Sequence, residues 1–357
     1  MRNVPSLFAL TAASAFALAG CSPSAVEQAD SADTDLADAP GLSVVVSNTI
    51  LGSVVQDIVR CATGDDSSVS VVMPIGADPH DFQPSSAQVA QMAAADLVVV
   101  NGLGLEEGLL PALESITADG ASVLEVAAQL DPLTFGTETE AAKEDDHDHE
   151  SEASDEHDHD HGADEHNDEE SHEEEHDHDH AGGLDPHFWL DMDRMADGAE
   201  LIGERLQQLA GGDYDACGEQ TAEIIEVAEA SVIDVLASVP EANRVLVTDH
   251  DALAYFALRY GYSVAGVVIP GGSTLGEPNS KELAALVEVI QDREVPAIFG
   301  NVALGEDIMD VLADEAGRNI EVVSLFIGSL GGPESGATTY IELMTTNANR
   351  IAEALTD

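Results

Sequence analysis

"RVLVTDHDALAYFALRYGYSVAGVVI", residues 244–269, is the stretch that decides the predicted fold. It begins and ends with β-branched apolar runs, 244–249 and 262–269, that are typical of buried strands, and residues 251–260 between them have helical spacing. This order predicts a parallel pair of strands, because parallel strands need a crossover connection. His250 stands where the first strand ends, on the edge of a parallel sheet at which ligands bind.

The same alternation extends in both directions along the chain. Further buried strands are predicted at 42–48, 68–74, 96–102, 297–301 and 320–326. Helices are predicted at 49–61, 86–95, 193–210, 280–293, 305–316 and 338–355. Strands that alternate with helices indicate the α/β class, with mostly parallel sheets.

A single long helical pattern divides these segments into two lobes. It covers residues 213–239, follows Gly211 and Gly212, and is stopped by Pro240. We therefore expect an N-terminal α/β lobe over 42–212, a linking helix over 213–239 and a C-terminal α/β lobe over 240–357.

The N-terminus has the features of an export signal. Residues 1–20 combine a basic start with an apolar stretch too short to span a membrane, which predicts a signal peptide. The sequence then reads Leu-Ala-Gly-Cys, like a bacterial lipobox, so Cys21 is the predicted lipid anchor and 21–41 a flexible tether. The alternative is ordinary secretion with a chance cysteine. Either way the protein is expected outside the cytoplasm.

Two other cysteines, Cys61 and Cys217, remain after the predicted anchor. An even number of cysteines in an extracytoplasmic protein indicates a disulfide, here between the end of the first helix and the start of the linking helix. Two buried free thiols are the alternative.

The net charge of the chain is −59. Residues 138–180 contain 22 of the 70 acidic residues and one of the 11 basic ones, but the remainder still has 48 acidic against 10 basic residues. This balance excludes nucleic acid or anionic lipid as a partner bound through charge, and it favours cations. Adaptation to a salty environment would also explain the background acidity.

The segment 138–180 is almost free of apolar residues and is predicted to be disordered. Its repeated His-Asp and His-Glu pairs offer many ligands without fixed geometry, which indicates weak and rapidly exchanging metal binding. The alternatives are a solvated linker and a pH-sensitive brush. The histidines predicted to recruit metal are His147, His149, His157, His159, His161, His166, His172, His176, His178 and His180.

The other three histidines lie in ordered motifs near predicted strand ends. They are His80 in "GADPHDFQPS", His187 in "LDPHFWLD" and His250 in "VTDHDALAYF". Imidazole suits zinc and other late divalent metals, so these three predict one tight site. The neighbouring carboxylates, which would orient the rings, are Asp78, Asp185, Asp249 and Asp251. Each histidine alone would more often be a capping or core residue.

At this point residues 42–357 resemble the solute-binding lipoproteins of bacterial ABC importers for zinc and manganese. The resemblance rests on "GADPHDFQPSSAQVAQMAAADLVVVNGLGLEEGLL", "DPHFWLD", "HDALAYFALRYGY" and "TTYIELMTTNANRIAEAL". It implies two lobes bridged by a rigid helix, with the metal in the cleft between them. It also implies that His80, His187 and His250 are the ligands, and that a His-rich insertion between the first two marks a zinc-type member.

The sequence departs from this family at one position. Many relatives have an aspartate ligand in the last strand-to-loop turn, where this chain has Gly328. We therefore expect three imidazoles and one exchangeable position, a preference for zinc, and better manganese binding in Gly328→Asp. If the alignment slips by a residue or two, Glu277 or Glu334 is the alternative fourth ligand.

The predicted function is that of a monomeric, non-enzymatic receptor. It is anchored outside the cell membrane and passes Zn²⁺ to an ABC permease served by a cytoplasmic ATPase. A zinc hydrolase is disfavoured because none of the predicted helices contains an HExxH pattern and the chain has no clear pair of nucleophile and base. The sequence is also compatible with a manganese receptor of the same family and with a surface metal buffer or adhesin.

Overall fold

The computed structural model describes residues 42–136, 183–278, 280–304, 307–317 and 320–356. The predicted signal peptide, Cys21, the tether and the His-rich segment lie outside these residues. Among the described residues, no helix is long and apolar enough to span a bilayer.

The first lobe is built on a four-stranded parallel sheet. Its strands are β1 (Val44–Val46), β2 (Val69–Val71), β3 (Leu97–Val100) and β4 (Val123–Glu125), in the order β2-β1-β3-β4. The central strands β1 and β3 are wholly buried valine and leucine, as expected for a parallel sheet covered on both faces. Its helices are α1 (Thr49–Thr63), α2 (Ser86–Ala94) and α3 (Leu110–Ala118).

The second lobe repeats this arrangement. Strands β5 (Val245–His250), β6 (Ser263–Ile269), β7 (Ala297–Asn301) and β8 (Glu321–Leu325) pair in parallel in the order β6-β5-β7-β8. The helices are α6 (Ala254–Tyr260), α7 (Ser280–Asp292), α8 (Asp307–Ala316) and α9 (Tyr340–Thr356). Two lobes with parallel sheets confirm the predicted α/β fold class.

Two long helices follow the first sheet and precede the second sheet in the sequence. They are α4 (Met192–Ala210) and α5 (Tyr214–Leu236). They pack closely where Gly203 faces Gly218, since a Cβ at Gly203 would lie 2.7 Å from the backbone oxygen of Tyr214. The helix α5 also packs against α1 and α9. Side chains from both sheets and from these helices share one hydrophobic core.

Three local features differ from the sequence prediction. The sequence analysis did not predict the helix α3 or the strand β4. The strand β4 lies at the edge of the sheet, and with three residues and one buried side chain it is too short to give a periodic signal. The helix predicted at 251–260 begins only at Ala254. Residues 251–253 instead form a turn in which the Ala252 amide donates to the carbonyl of His250 at 2.9 Å, and this turn holds His250 at the sheet edge.

Candidate metal centre

The three histidines outside the His-rich segment come together in the structure, two of them from the carboxyl ends of parallel strands. His80 follows β2, His187 precedes a single 3-10 turn at Phe188–Leu190, and His250 is the last residue of β5. Their side chains are buried, with 3%, 1% and 1% exposure respectively. Burial of three histidines together is costly unless they are hydrogen-bonded or bind something.

The spacing of the three rings fits a shared metal ion. The ring centroids are 5.6 Å apart for His80 and His187, 5.8 Å for His80 and His250, and 5.3 Å for His187 and His250. One nitrogen from each ring can be chosen so that all three lie within 4.8 Å of one another. Nitrogens around a tetrahedral zinc ion are about 3.3 Å apart, so binding would draw the nitrogens together by up to about 1.5 Å.

His187 shows most directly which ring nitrogen is available. Asp185 Oδ1 lies 2.9 Å from the backbone nitrogen of His187 and 2.8 Å from its Nδ1. With the proton on Nδ1, the lone pair is on Nε2, and Nε2 is buried without a hydrogen-bond partner. A carboxylate that holds one nitrogen while the other faces the cluster is the usual arrangement behind a metal-binding histidine.

His250 is held in the same way by the residue before it. Asp249 Oδ1 accepts from the His250 backbone nitrogen and lies 2.7 Å from Nδ1. The other oxygen of Asp249 accepts from the backbone nitrogen of Asn301 at the end of β7. The end of β7, the neighbour of β5, therefore holds the Asp249 carboxylate, which in turn orients His250.

His80 differs from this pattern and from the prediction. Asp78 accepts from the His80 backbone nitrogen at 3.1 Å and does not bond to the ring. The carboxylate beside the ring is Glu107, whose Oε1 lies 3.5 Å from His80 Nδ1 and forms no hydrogen bond with it. Sequence reasoning missed Glu107 because it belongs to a separate loop after β3.

Burial sets the charge of the site. It raises the pKa of the Asp185 carboxyl to about 7 and lowers the pKa of His187 well below its ordinary value. It also raises the pKa of Asp251 to about 6, with a further upward contribution from the negative charge of Asp185. His187 is thus a neutral imidazole with a free lone pair, and an arriving cation would favour the ionised form of both carboxyls.

Two aromatic residues that the sequence did not single out support His187. The ring of Trp189 lies 5.2 Å from the His187 ring, and its Nε1 donates to the Ile327 carbonyl at 2.9 Å. The hydroxyl of Tyr255, from α6, donates to the backbone oxygen of Asp185 at 3.0 Å. Since Trp189 is the single tryptophan of the chain, its fluorescence can report on the centre.

No carboxylate joins the three histidines in the part of the chain that the structure describes. The alternative ligands Glu277 and Glu334 are both exposed and lie outside the cluster. Gly328 adjoins the centre, because a Cβ placed on it would lie 2.7 Å from Pro79 Cδ and 3.6 Å from Asn301 Nδ2. The contact with Pro79 leaves no room for a side chain beside His80.

This contact changes the expectation for Gly328→Asp. The new side chain must displace Pro79 and with it His80, so we expect zinc affinity to fall by about tenfold, the effect of losing about 1.4 kcal/mol. Gly328→Ala is the matched control, because it brings the same steric conflict without a carboxylate. Titration of both variants with zinc and manganese separates the two effects. Unchanged zinc affinity in both variants would contradict the steric argument.

The disulfide predicted from the sequence is present in the structure. Cys61, in the last turn of α1, is bonded to Cys217 in the first turn of α5, with 5.7 Å between the Cα atoms.

Comparison with known proteins gives a consistent result over most of the chain. The manganese-binding lipoprotein MntA of Halalkalibacterium halodurans is 27% identical over 321 residues, which is 89% of this chain and 90% of that protein. The zinc-binding protein TroA of Treponema pallidum is 25% identical over 330 residues, 89% and 91% of the two chains. The solved structure of periplasmic TroA superposes with a TM-score of 0.67 at 24% identity, covering 89% of this chain and all of that one.

The family model for the zinc-uptake complex component A, periplasmic (ZnuA), matches residues 44–354. This match contains both sheets, the helices α4 and α5 and all three clustered histidines. Proteins of this kind are substrate-binding receptors and not enzymes. The chain therefore belongs to the ZnuA family of metal-binding receptors.

Proposed function

We propose that this protein is the extracytoplasmic Zn²⁺ receptor of an ABC importer, with His80, His187 and His250 as the protein ligands of the transported ion. The observation that carries the proposal is the buried, unpaired Nε2 of His187 within a cluster of three histidines. An acceptor nitrogen in such a place is stabilised when a cation occupies the cluster.

The donor set favours zinc over manganese. Neutral imidazole nitrogens suit zinc, whereas manganese prefers carboxylate and other oxygen ligands. The described part of the cluster offers three nitrogens and no carboxylate. A manganese receptor is the second candidate, because MntA is named for manganese and is similar over most of this chain.

We further propose a division of labour between the two groups of histidines. The tight site would hold the ion that is delivered to the permease and its ATPase, and residues 138–180 would recruit cations to it through negative charge and loose ligands. Lipidation at Cys21 would keep the monomeric receptor at the membrane. The name lipoprotein given to MntA supports that anchor.

Competition titrations with zinc and manganese test the metal, and a variant that lacks 138–180 tests the division of labour. We expect one tight zinc equivalent in the wild-type protein and in the deletion variant, with slower zinc uptake by the variant at low salt because the charge that attracts cations is gone. Equal affinity for the two metals would contradict zinc specificity. Loss of tight binding in the deletion variant would identify a metal buffer instead of a receptor.

A further inference from the structure

The loop that follows β6 makes contacts that the metal centre itself does not require. Residues 271–274, Gly-Gly-Ser-Thr, leave the sheet of the second lobe and reach the first lobe, and we call this segment the latch. Ser273 is a serine in a loop, yet only 9% of it is exposed.

Two hydroxyls of the latch bind two carboxylates that lie beside His80. The Ser273 hydroxyl donates to Oε1 of Glu107, the same oxygen that lies 3.5 Å from His80 Nδ1. The Thr274 hydroxyl donates to Oδ2 of Asp78 at 2.5 Å, and the other oxygen of Asp78 accepts from the His80 backbone nitrogen. Hydrogen bonds from hydroxyls to carboxylates are stronger than those between neutral groups.

The latch also touches the segment that carries His250 and a segment that is paired with the one carrying His187. The carbonyl of Gly271 accepts from the backbone nitrogen of Asp251, the residue after His250, at 3.2 Å. Gly271 has a φ of 88°, a conformation that glycine adopts without strain. The backbone of Gly272 lies against the ring of Phe135, because a Cβ on Gly272 would overlap that ring.

Backbone hydrogen bonds connect the segment of Phe135 to the segment that carries His187. Its backbone nitrogen donates to the Gly183 carbonyl at 3.0 Å, and the Asp185 backbone nitrogen donates to the Leu133 carbonyl at 2.8 Å. These bonds pair the segment before the His-rich region with the segment that ends in Asp185, the carboxylate behind His187. Four consecutive latch residues thus contact two carboxylates beside His80, the residue after His250, and Phe135 in the segment paired with the one that carries Asp185.

From this arrangement we infer that the latch gates the exchange of the metal ion, with Ser273 and Thr274 as the residues that hold the gate closed. The inference rests on the proposed function of the histidine cluster. None of the latch hydrogen bonds among the described residues involves a histidine ring nitrogen, so we expect them in either state of the site. Weakening them should speed entry and exit alike and leave the equilibrium affinity nearly unchanged.

The test uses the double variant Ser273→Ala/Thr274→Val in the full chain. Zinc uptake is followed by stopped-flow fluorescence of Trp189, and release is measured by mixing the loaded protein with excess chelator. We expect the uptake and release rate constants each to rise about tenfold, the effect of removing about 1.4 kcal/mol of hydrogen bonding. The matched control is Ser238→Ala/Thr346→Val, which removes two hydroxyls that bond to nearby backbone carbonyls elsewhere.

The outcomes separate the gate from other roles. Faster uptake and release with little change in affinity support the inference, provided that the control exchanges zinc at wild-type rates. Faster release with unchanged uptake would show that the latch only positions ligands in the loaded state and would overturn the gate, as would unchanged rates in both directions. A wild-type protein that fails to bind zinc tightly would instead refute the proposed function, so the two failures are distinguishable.

Discussion

Replacing His187 with alanine is expected to abolish tight zinc binding, with a fall in affinity of more than about a hundredfold. The substitution removes the nitrogen that is buried without a partner, and it leaves two histidines where zinc sites ordinarily have at least three protein ligands. It also leaves Asp185 without the ring that binds its Oδ1, so a buried carboxylate loses a hydrogen bond. Competition against a chelating dye measures the affinity.

Asp185→Asn is expected to lower zinc affinity less than His187→Ala does. It keeps the imidazole but weakens the group that holds Nδ1, and losses of this kind lower metal affinity by about 10–100-fold. The order wild type, Asp185→Asn, His187→Ala is therefore expected, from tightest to weakest. His176→Ala removes a histidine from the His-rich segment and should leave the tight site intact. If His176→Ala weakened tight binding as much as His187→Ala, the ligands would have been assigned to the wrong group.

The sequence predicted the convergence of the three histidines because each lies in a recognisable motif next to a predicted element. His250 ends an apolar strand, and the Asp-Pro-His turns place His80 and His187 after a strand and before a helix. Ligand sites lie at the carboxyl ends of parallel strands, so the strand pattern places His80 and His250 at such ends, one in each sheet. His187 follows no strand of either sheet, and its Asp-Pro-His turn is the signal that indicated it. The same reasoning identified Asp185 and Asp249, since each precedes its histidine by two residues or one.

The remaining features of the centre depend on contacts between distant loops. Glu107 lies beside His80 because the loop after β3 folds back on the loop after β2, and Ser273 reaches Glu107 from the second lobe. The close approach of Gly328 to Pro79 is likewise a tertiary contact across 249 positions of the chain. Single-sequence patterns report local periodicity and give no information on which loops touch.

We expect selectivity among metals to depend on this second group of contacts. The fold is shared with proteins named for manganese and for zinc, so the fold alone does not choose the ion. In this chain the last loop contacts Pro79 at Gly328. The nitrogen-rich site is therefore a consequence of packing as well as of ligand identity.

The second large effect is expected for the disulfide. Cys61→Ser/Cys217→Ser should lower the free energy of unfolding by about 5 kcal/mol in the chain-entropy model, because the bond closes a loop of more than 150 residues. The separation of the two cysteines is 156 positions. The bond joins α1 to α5, and α5 in turn packs against α4 and α9. Opening it therefore gives the unfolded chain more freedom and removes a tie between α1 of the first lobe and the long helix α5.

Denaturant and thermal unfolding of the double variant and the wild type measure this loss, with both cysteines replaced so that no reactive thiol remains. Zinc affinity should change little. The helix α1 begins at Thr49, whose side chain meets Ser329 in the loop next to Gly328, and Cys61 lies 12 residues further along, or about 18 Å. The free energy of unfolding should therefore fall in this variant while its zinc affinity stays nearly unchanged. Two free thiols in unfolded, unreduced wild-type protein would refute the bond, and a large loss of affinity without a loss of stability would show that it acts on the metal centre instead.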